Sequence, residues 1–329
     1  MINAATQLFL YTLRSRGSLN AVSQRREFHG ALIKVNEGIG CLHPWPEFGD
    51  APIDEQLKIL RAGGTSKVIE RALRMTAVDG EARSRGVSLF AGLEIPPSHF
   101  SFDQNQSAEE QMRRIISEGW QAIKIKGAAD REKVIAVLVG IVRLAGDTQL
   151  KLRVDFNSCL TAPQFADFMR ALPSNVRGRI DFIEDSFPYD GAAWFAAQNE
   201  LGVRLACDKG LIQSEETSSA ECGYAVAVLK PGRREWRATL AAIPANARIV
   251  MTSAMDHAIG QSFAAWEAAM AWRELGARMD LCGLCTEQLF ERDAFFERLS
   301  RHSGLLNVDR MGTGLGFDAV LAELKWEEL

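Results

Sequence analysis

Residues 150–157 read Leu-Lys-Leu-Arg-Val-Asp-Phe-Asn. The segment has the apolar framework of a buried strand, yet Arg153, Asp155 and Asn157 stand at alternate positions in it. Alternate residues of a strand share a face, so three polar groups point one way where a buried parallel strand should be nearly all apolar. Four other segments break the rule at the same end. Ala122–Gly127 closes on Lys124-Ile125-Lys126, Ile180–Asp185 on Glu184-Asp185, Arg204–Asp208 on Asp208, and Ala225–Pro231 on Lys230-Pro231. The steps from Lys126 to Asp155 and from Asp155 to Glu184 are 29 residues each, followed by 24 to Asp208 and 22 to Lys230. Each step is the length of one strand–helix unit, so the charges return side by side to one rim, where barrel enzymes keep their catalytic groups.

Further apolar strands are expected at Val87–Ile95, Arg248–Ala254 and Leu281–Thr286, which makes eight. Amphipathic helices are expected between strands, among them Ala108–Glu118, Arg131–Ala145, Ala162–Ala171 and Gln261–Leu275. Eight parallel strands with intervening helices predict an α/β fold of the (β/α)8 TIM type over residues 87–329, in preference to a six-stranded doubly wound sheet. Residues 1–86 read differently. Strands at Phe9–Arg14 and Glu27–Asn36, a Gly- and Pro-rich loop at Gly38–Gly49, and helices at Ile53–Arg61 and Lys67–Ser84 form a small α+β unit.

Composition excludes several classes. The 329 residues are 47% apolar and 24% charged, with 38 Lys and Arg against 42 Asp and Glu, a net charge of −4. That balance gives no electrostatic footprint for nucleic acid or an anionic membrane. The longest strongly apolar run, Val134–Val142, is nine residues, against the ~20 that span a bilayer. Met1–Leu13 has no basic stretch before its apolar residues, so no signal peptide is expected. The cysteines at 41, 159, 207, 222, 282 and 285 are scattered in apolar context, which suits reduced thiols and a cytoplasmic location. Oligomeric state is not legible.

Three carboxylates converging from neighbouring strands, Asp155, Glu184 and Asp208, repel one another in a partly desolvated site. A hard divalent cation, Mg²⁺, relieves that repulsion through oxygen ligands. Lys126 precedes the carboxylate arc and Lys230 follows it. Like charge nearby lowers a lysine pKa, which suits a general base near neutral pH. The matching chemistry is removal of the weakly acidic proton α to a carboxylate, with the cation stabilising the two negative oxygens that result. The substrate class is therefore a small carboxylate.

Lys124-Ile125-Lys126, Asp155-Phe156-Asn157, Ile183-Glu184-Asp185, Asp208, Lys230-Pro231 and Cys282-Gly283-Leu284, in this order and at this spacing, resemble the enolase superfamily. Within it the muconate-lactonizing subgroup is nearest, and within that the o-succinylbenzoate synthases. The resemblance implies that residues 1–86, with part of the C-terminal tail, form a capping domain over the barrel mouth. It implies Asp155, Glu184 and Asp208 as magnesium ligands, Lys126 as the acid/base and Lys230 as the lysine of the opposite face. Lys124 would be a supporting charge. Arg153 and Asn157 would line the site, and Thr252 and Ser253 would hold the succinyl carboxylate. The implied reaction is the syn dehydration of 2-succinyl-6-hydroxy-2,4-cyclohexadiene-1-carboxylate to 2-succinylbenzoate, a step of menaquinone synthesis. Relatives with the same lysine pair racemise N-succinylamino acids or epimerise dipeptides. The epimerases carry Asp-x-Asp on the eighth strand, where this chain has Asp280-Leu281-Cys282. A non-catalytic barrel that binds a carboxylate is the reading from another class, and the full set of rim charges argues against it.

Simpler readings stand beside these. Arg153 can pair with a carboxylate instead of touching substrate, and Asn157 can act on a ligand from behind. Cys282 and Cys285 face opposite sides of a strand and form neither a zinc nor a redox pair. Gly312–Gly316 reads as loop, residues 232–237 as a solvated helix start, and His257 as a polar loop histidine. The loop at residues 14–24 is a candidate for closure over the mouth.

Overall fold

The structure, a computed structural model, describes residues 6–17, 19, 25–211 and 222–329. Strands β1 (Thr6–Arg14), β2 (Glu27–Val35) and β3 (Gly38–Leu42) pair antiparallel in succession. Helices α1 (Ile53–Arg61) and α2 (Lys67–Ser84) cover one face, burying Leu8, Ile33, Leu42, Leu57, Leu60 and Ile69 between them. Ser66 caps α2, accepting a hydrogen bond from the Ile69 N–H at 3.3 Å. The segment expected to be a loop from Gly38 is thus a strand as far as Leu42. Its glycines mark close approach to a helix, because a Cβ on Gly38 would lie 1.9 Å from the Thr76 carbonyl oxygen and one on Gly40 2.2 Å from that of Ala72.

The second unit is a parallel sheet whose strands run in sequence order: β4 (Phe100–Ser101), β5 (Ala122–Lys126), β6 (Lys151–Asp155), β7 (Ile180–Glu184), β8 (Leu205–Cys207), β9 (Val226–Leu229) and β10 (Arg248–Met251). Residues 279–283 supply the eighth extended stretch and join the two edges. The Asp280 and Gly283 N–H groups donate to the Ile249 and Met251 carbonyls at 2.8 Å each, and the His99 N–H donates to the Cys282 carbonyl at 2.8 Å. The ring is a TIM-type barrel with the small unit as its cap. Helices α3 (Ala108–Ser117), α4 (Arg131–Ala145), α5 (Ala162–Ala171), α6 (Ser174–Arg177), α7 (Gly191–Leu201), α8 (Trp236–Leu240) and α9 (Ala258–Leu275) lie among the strands in the chain. The hairpin β11 (Ser300–His302) and β12 (Leu305–Asn307) and helix α10 (Asp318–Ala322) follow, and β13 (Glu327–Glu328) returns to pair with β1.

The first barrel strand is not Val87–Ile95. That stretch is turn and loop, with Gly86 and Gly92 in the left-handed region and Pro96 and Pro97 ending it. Its Phe90, Leu93 and Ile95 are buried as packing groups.

The cap and the barrel are joined through buried charge. Arg71 and Arg74 of α2 bond Glu267 of α9 at 3.0 and 2.9 Å. Asp79 accepts from the Ile39 and Leu315 N–H groups at 2.8 and 2.6 Å, tying the C-terminal segment to the cap. Among the described residues no helix is long and apolar enough to cross a membrane. All six cysteines are free thiols.

Candidate active site

Alternation along each strand sorts the lumen into layers. Lys126, Asp155, Glu184, Asp208, Lys230 and Thr252 occupy the mouth. Two residues further down each strand come Lys124, Arg153, Phe182, Ala206, Val228 and Val250, and the last four are wholly buried. Lys126 and Asp155 are register partners across β5 and β6, as are Asp155 and Glu184 across β6 and β7.

Lys124 reaches up from the second layer. Its ammonium donates to both Glu184 oxygens at 2.7 Å and lies 3.0 Å from Asp155 Oδ2. Burial alone would lower its pKa, but these two carboxylates raise it above the usual lysine range. Burial likewise favours a protonated Asp155, and the Lys124 charge outweighs it and holds that carboxyl low. Glu184 is 3% exposed, and its burial pushes the carboxyl up to about 7 against the pull of Lys124. Lys230 forms an ion pair with Asp208. Burial opposes the Lys230 charge, and Asp208 and Glu184 prevail and raise its pKa. Lys126 shifts the other way. Desolvation comes first and the neighbouring Lys124 charge adds to it, so its pKa falls below the usual value despite Asp155.

Asp155 is oriented from behind by the Asn157 N–H, at 3.0 Å from its Oδ1. Asn157, Ser158 and Asp185 all have left-handed backbones, at φ 54°, 63° and 43°. Such strain gathers at functional sites. Asp185 and Lys209 contribute contacts that strand alternation does not predict. The Asp185 carboxylate receives the N–H groups of Asp208 and Lys209, and the Lys209 ammonium reaches the Asn157 carbonyl at 3.2 Å. Alternation sends both side chains away from the mouth, and Asp185, with its left-handed backbone, meets the main chain of the next strand end instead. A polar residue directly after a strand-end carboxylate was the available signal.

Arg153 does not reach the mouth. It is fully buried and bonds Asp181 at 2.8 Å, Asp280 at 3.0 Å, His99 Nδ1 at 3.0 Å and the Leu281 carbonyl at 2.6 Å, with its guanidinium 4.5 Å from the Phe182 ring centre. A register irregularity beside Leu152 and Arg153 turns Asp181 inward to meet it. Its expected place lining the substrate is therefore corrected to an ion-pair plug beneath the site. Thr252 and Ser253 diverge. Thr252 faces the lumen with a hydroxyl that has no partner among the described residues, whereas Ser253 bonds Thr286 Oγ1 at 2.5 Å and accepts from the Met255 N–H at 3.2 Å. His257 is no loop histidine. It caps α9, accepting from the Ile259 N–H at 3.2 Å, and is wedged between Tyr11 and Phe295 with ring centroids 4.5 Å from each. Trp236, expected in a solvated helix start, is buried. Residues 18 and 20–24 of the proposed closing loop lie outside the described residues.

Among the described residues no three His, Cys, Asp or Glu side chains are drawn together tightly enough to hold a metal ion as they stand. Each rim carboxylate is instead matched by an ammonium. The donor set still fits a hard divalent cation, for it consists of carboxylate oxygens on successive strand ends. A positive charge, the Lys124 ammonium, already stands between two of them.

Residues 6–82 match the family described as the O-succinylbenzoate synthase N-terminal domain, and residues 107–320 match the family described as enolase C-terminal domain-like. An o-succinylbenzoate synthase from Bdellovibrio bacteriovorus is 30% identical over 326 residues, covering 97% of each chain. Among solved structures, the muconate lactonizing enzyme from Pseudomonas fluorescens, complexed with muconolactone, has a TM-score of 0.74 at 16% identity, covering 95% of each chain. The dipeptide epimerase from Enterococcus faecalis V583, complexed with Mg and the dipeptide L-Leu-L-Tyr, has a TM-score of 0.72 at 13% identity and covers 95% of this chain and 98% of that one.

Proposed function

Because the chain belongs to the enolase superfamily and is most like its o-succinylbenzoate synthases, we propose that it is a magnesium-dependent dehydratase that makes 2-succinylbenzoate. One observation carries the reading. Lys126 and Lys230 stand at strand ends on either side of the three rim carboxylates, and in the metal-free protein the surroundings lower the pKa of the first and raise that of the second. A general base must be able to shed its proton near neutral pH, whereas an electrostatic stabiliser must not.

Lys126 takes the proton α to the substrate carboxylate, and the electrons of that C–H bond pass into the carboxylate as an enediolate. Lys230, held protonated by Asp208, faces the negative charge that develops. Lys126 then returns its proton to the departing hydroxyl. The C–O bond breaks, water leaves from the face the proton came from, and the ring becomes aromatic. Asp155, Glu184 and Asp208 would hold Mg²⁺, which when bound supplies positive charge to the carboxylate oxygens. Lys124 fixes Asp155 and Glu184 from below, and the unpartnered Thr252 hydroxyl is the group available to the succinyl carboxylate. Six thiols without a disulfide support a cytoplasmic location for the enzyme.

A racemase or epimerase is the competing reading, since the same two lysines can exchange a proton across a stereocentre. Against dipeptide epimerisation, Asp280 is committed to Arg153 and Arg248, each at 3.0 Å, and is not open to a substrate amino group. The cyclohexadiene substrate and a panel of N-succinylamino acids, supplied with Mg²⁺ and again with excess chelator, test the reading. Chelator-sensitive turnover of the cyclohexadiene carboxylate is expected. Racemisation of the panel without dehydration would replace the proposal.

A further inference from the structure

Asp185 follows Glu184 directly and takes no part in the scheme above. It is 2% exposed and adopts a left-handed backbone. Its two carboxylate oxygens are divided between two neighbouring donors at the next strand end. Oδ1 accepts from the Asp208 N–H at 3.1 Å and Oδ2 from the Lys209 N–H at 3.2 Å. Its own main chain binds both sides of the rim, for its carbonyl accepts from the Ser158 N–H at 2.6 Å and its N–H donates to the Ala206 carbonyl at 3.0 Å. One residue therefore ties the ends of β6, β7 and β8, the three strands whose ends carry the rim carboxylates.

We propose that Asp185 is a positioning residue for the cation centre, its carboxylate clamping the backbone of Asp208 and so fixing where the third carboxylate stands. The proposal rests on the reading of Asp155, Glu184 and Asp208 as ligands. The chemistry selects the residue type. The two N–H groups go to different oxygens, and a carboxamide offers one acceptor oxygen where a carboxylate offers two, its NH2 group being a donor. The φ of 43° is one that Asp, Asn and Gly tolerate and bulkier residues do not. In this reading Asp185 acts through the backbone of Asp208 and not on substrate or cation directly.

Asp185→Gly deletes the carboxylate without straining the backbone, and Asp185→Asn keeps one acceptor and the left-handed turn. Two measurements are made on the full chain. Hydrogen exchange in metal-free protein reads the amides of Asp208 and Lys209, and calorimetric titration with Mg²⁺ alone reads the centre. For Asp185→Gly, both amides exchange faster and Mg²⁺ affinity falls about 10- to 100-fold, the range for removing a group that orients a metal ligand. Asp185→Asn exposes one amide, not two, and loses less affinity than Asp185→Gly. Wild-type affinity in Asp185→Gly, or an equal loss in both variants, overturns the clamp, since an equal loss would mean that charge and not position matters. If Asp185→Gly does not fold, unchanged exchange at both amides in Asp185→Asn overturns it instead. Absence of Mg²⁺ binding to the wild-type chain overturns the ligand reading and the clamp together, whereas wild-type binding with indifferent variants overturns the clamp alone.

Discussion

Two clusters of charge share the lumen of this barrel, one layer apart, and their chemistry differs. At the mouth, Lys126, Asp155, Glu184, Asp208 and Lys230 are lysines against carboxylates. One layer down, Arg153 meets Asp181 and Asp280, with Arg204 and Arg248 closing the far side of those two acids. Arginine stays charged under every condition the protein meets and spreads its charge over a fork of donors. It therefore builds a fixed support. Lysine is a point charge whose pKa moves with its surroundings, and the mouth contains lysines moved in both directions. Burial by itself does not separate function from support in this barrel. The separation lies in whether the surroundings set the pKa of the cation, as they do for Lys126 and Lys230 in opposite directions.

The largest test of that contrast is Lys126→Ala. Loss of a general base costs about 10²- to 10⁴-fold in rate, and the residue is exposed at the rim, so stability should change little. Turnover and exchange of the α-proton in deuterated water are both expected to vanish into background while the thermal midpoint stays put. Retained exchange would move the base to another residue.

Arg153→Met inverts the pattern. Removing the cation leaves Asp181 and Asp280 short of positive charge in the lumen, and breaking a buried pair in this way costs about 3–5 kcal/mol. Denaturant unfolding should show that loss, with kcat of the remaining folded enzyme within a few-fold of wild type. A specific loss of kcat at unchanged stability would return Arg153 to the site.

The sequence made the mouth legible because a charge at the end of an apolar strand is out of place, and five of them recur at intervals of one strand–helix unit. It did not make depth legible. Arg153 and Asp155 share a face, so alternation groups them, and only the irregularity that turns Asp181 inward shows that the guanidinium is satisfied below the mouth. The first barrel strand escapes a reading by pattern for a related reason. Apolar residues at 87–95 pack as well in a turn as in a strand, while the true β4 is two residues long and has no periodicity to read. β3 is hidden by the glycines that let α2 approach it.

Asp256 supplies a third case, a buried carboxylate with no cation bonded to it among the described residues. It is 4% exposed, its Oδ1 has no partner among those residues, and its burial pushes the carboxyl up to about 7. A carboxyl whose pKa is raised on folding contributes stability that is present in full below its unfolded value, about 3.9, and lost as pH rises through the folded one. Stability should therefore fall between about pH 4 and pH 7 by up to about 4 kcal/mol, since each tenfold difference in proton affinity between the folded and unfolded chain is worth about 1.4 kcal/mol. Asp256→Asn should flatten that window and be the more stable protein at pH 8. An unchanged pH profile would show that the carboxyl is not titrating there.

The smallest effects separate two hydroxyls that adjoin in sequence. Ser253 donates or accepts within a closed set with Thr286 and the Met255 N–H, so Ser253→Ala should cost about 1 kcal/mol, as a lost buried hydrogen bond does, and leave KM unchanged. Thr252 has a buried hydroxyl with no partner among the described residues and faces the lumen at the level of Lys230. Thr252→Val keeps the shape and removes only that hydroxyl, so the free protein should lose no stability. If the hydroxyl binds the substrate carboxylate, KM rises by about an order of magnitude, the worth of a hydrogen bond to a charged group, with kcat nearly constant. The opposite assignment, KM rising in Ser253→Ala and not in Thr252→Val, would require the seventh strand to turn its other face to the substrate, contrary to the alternation that puts Val250 in the lumen beneath Thr252.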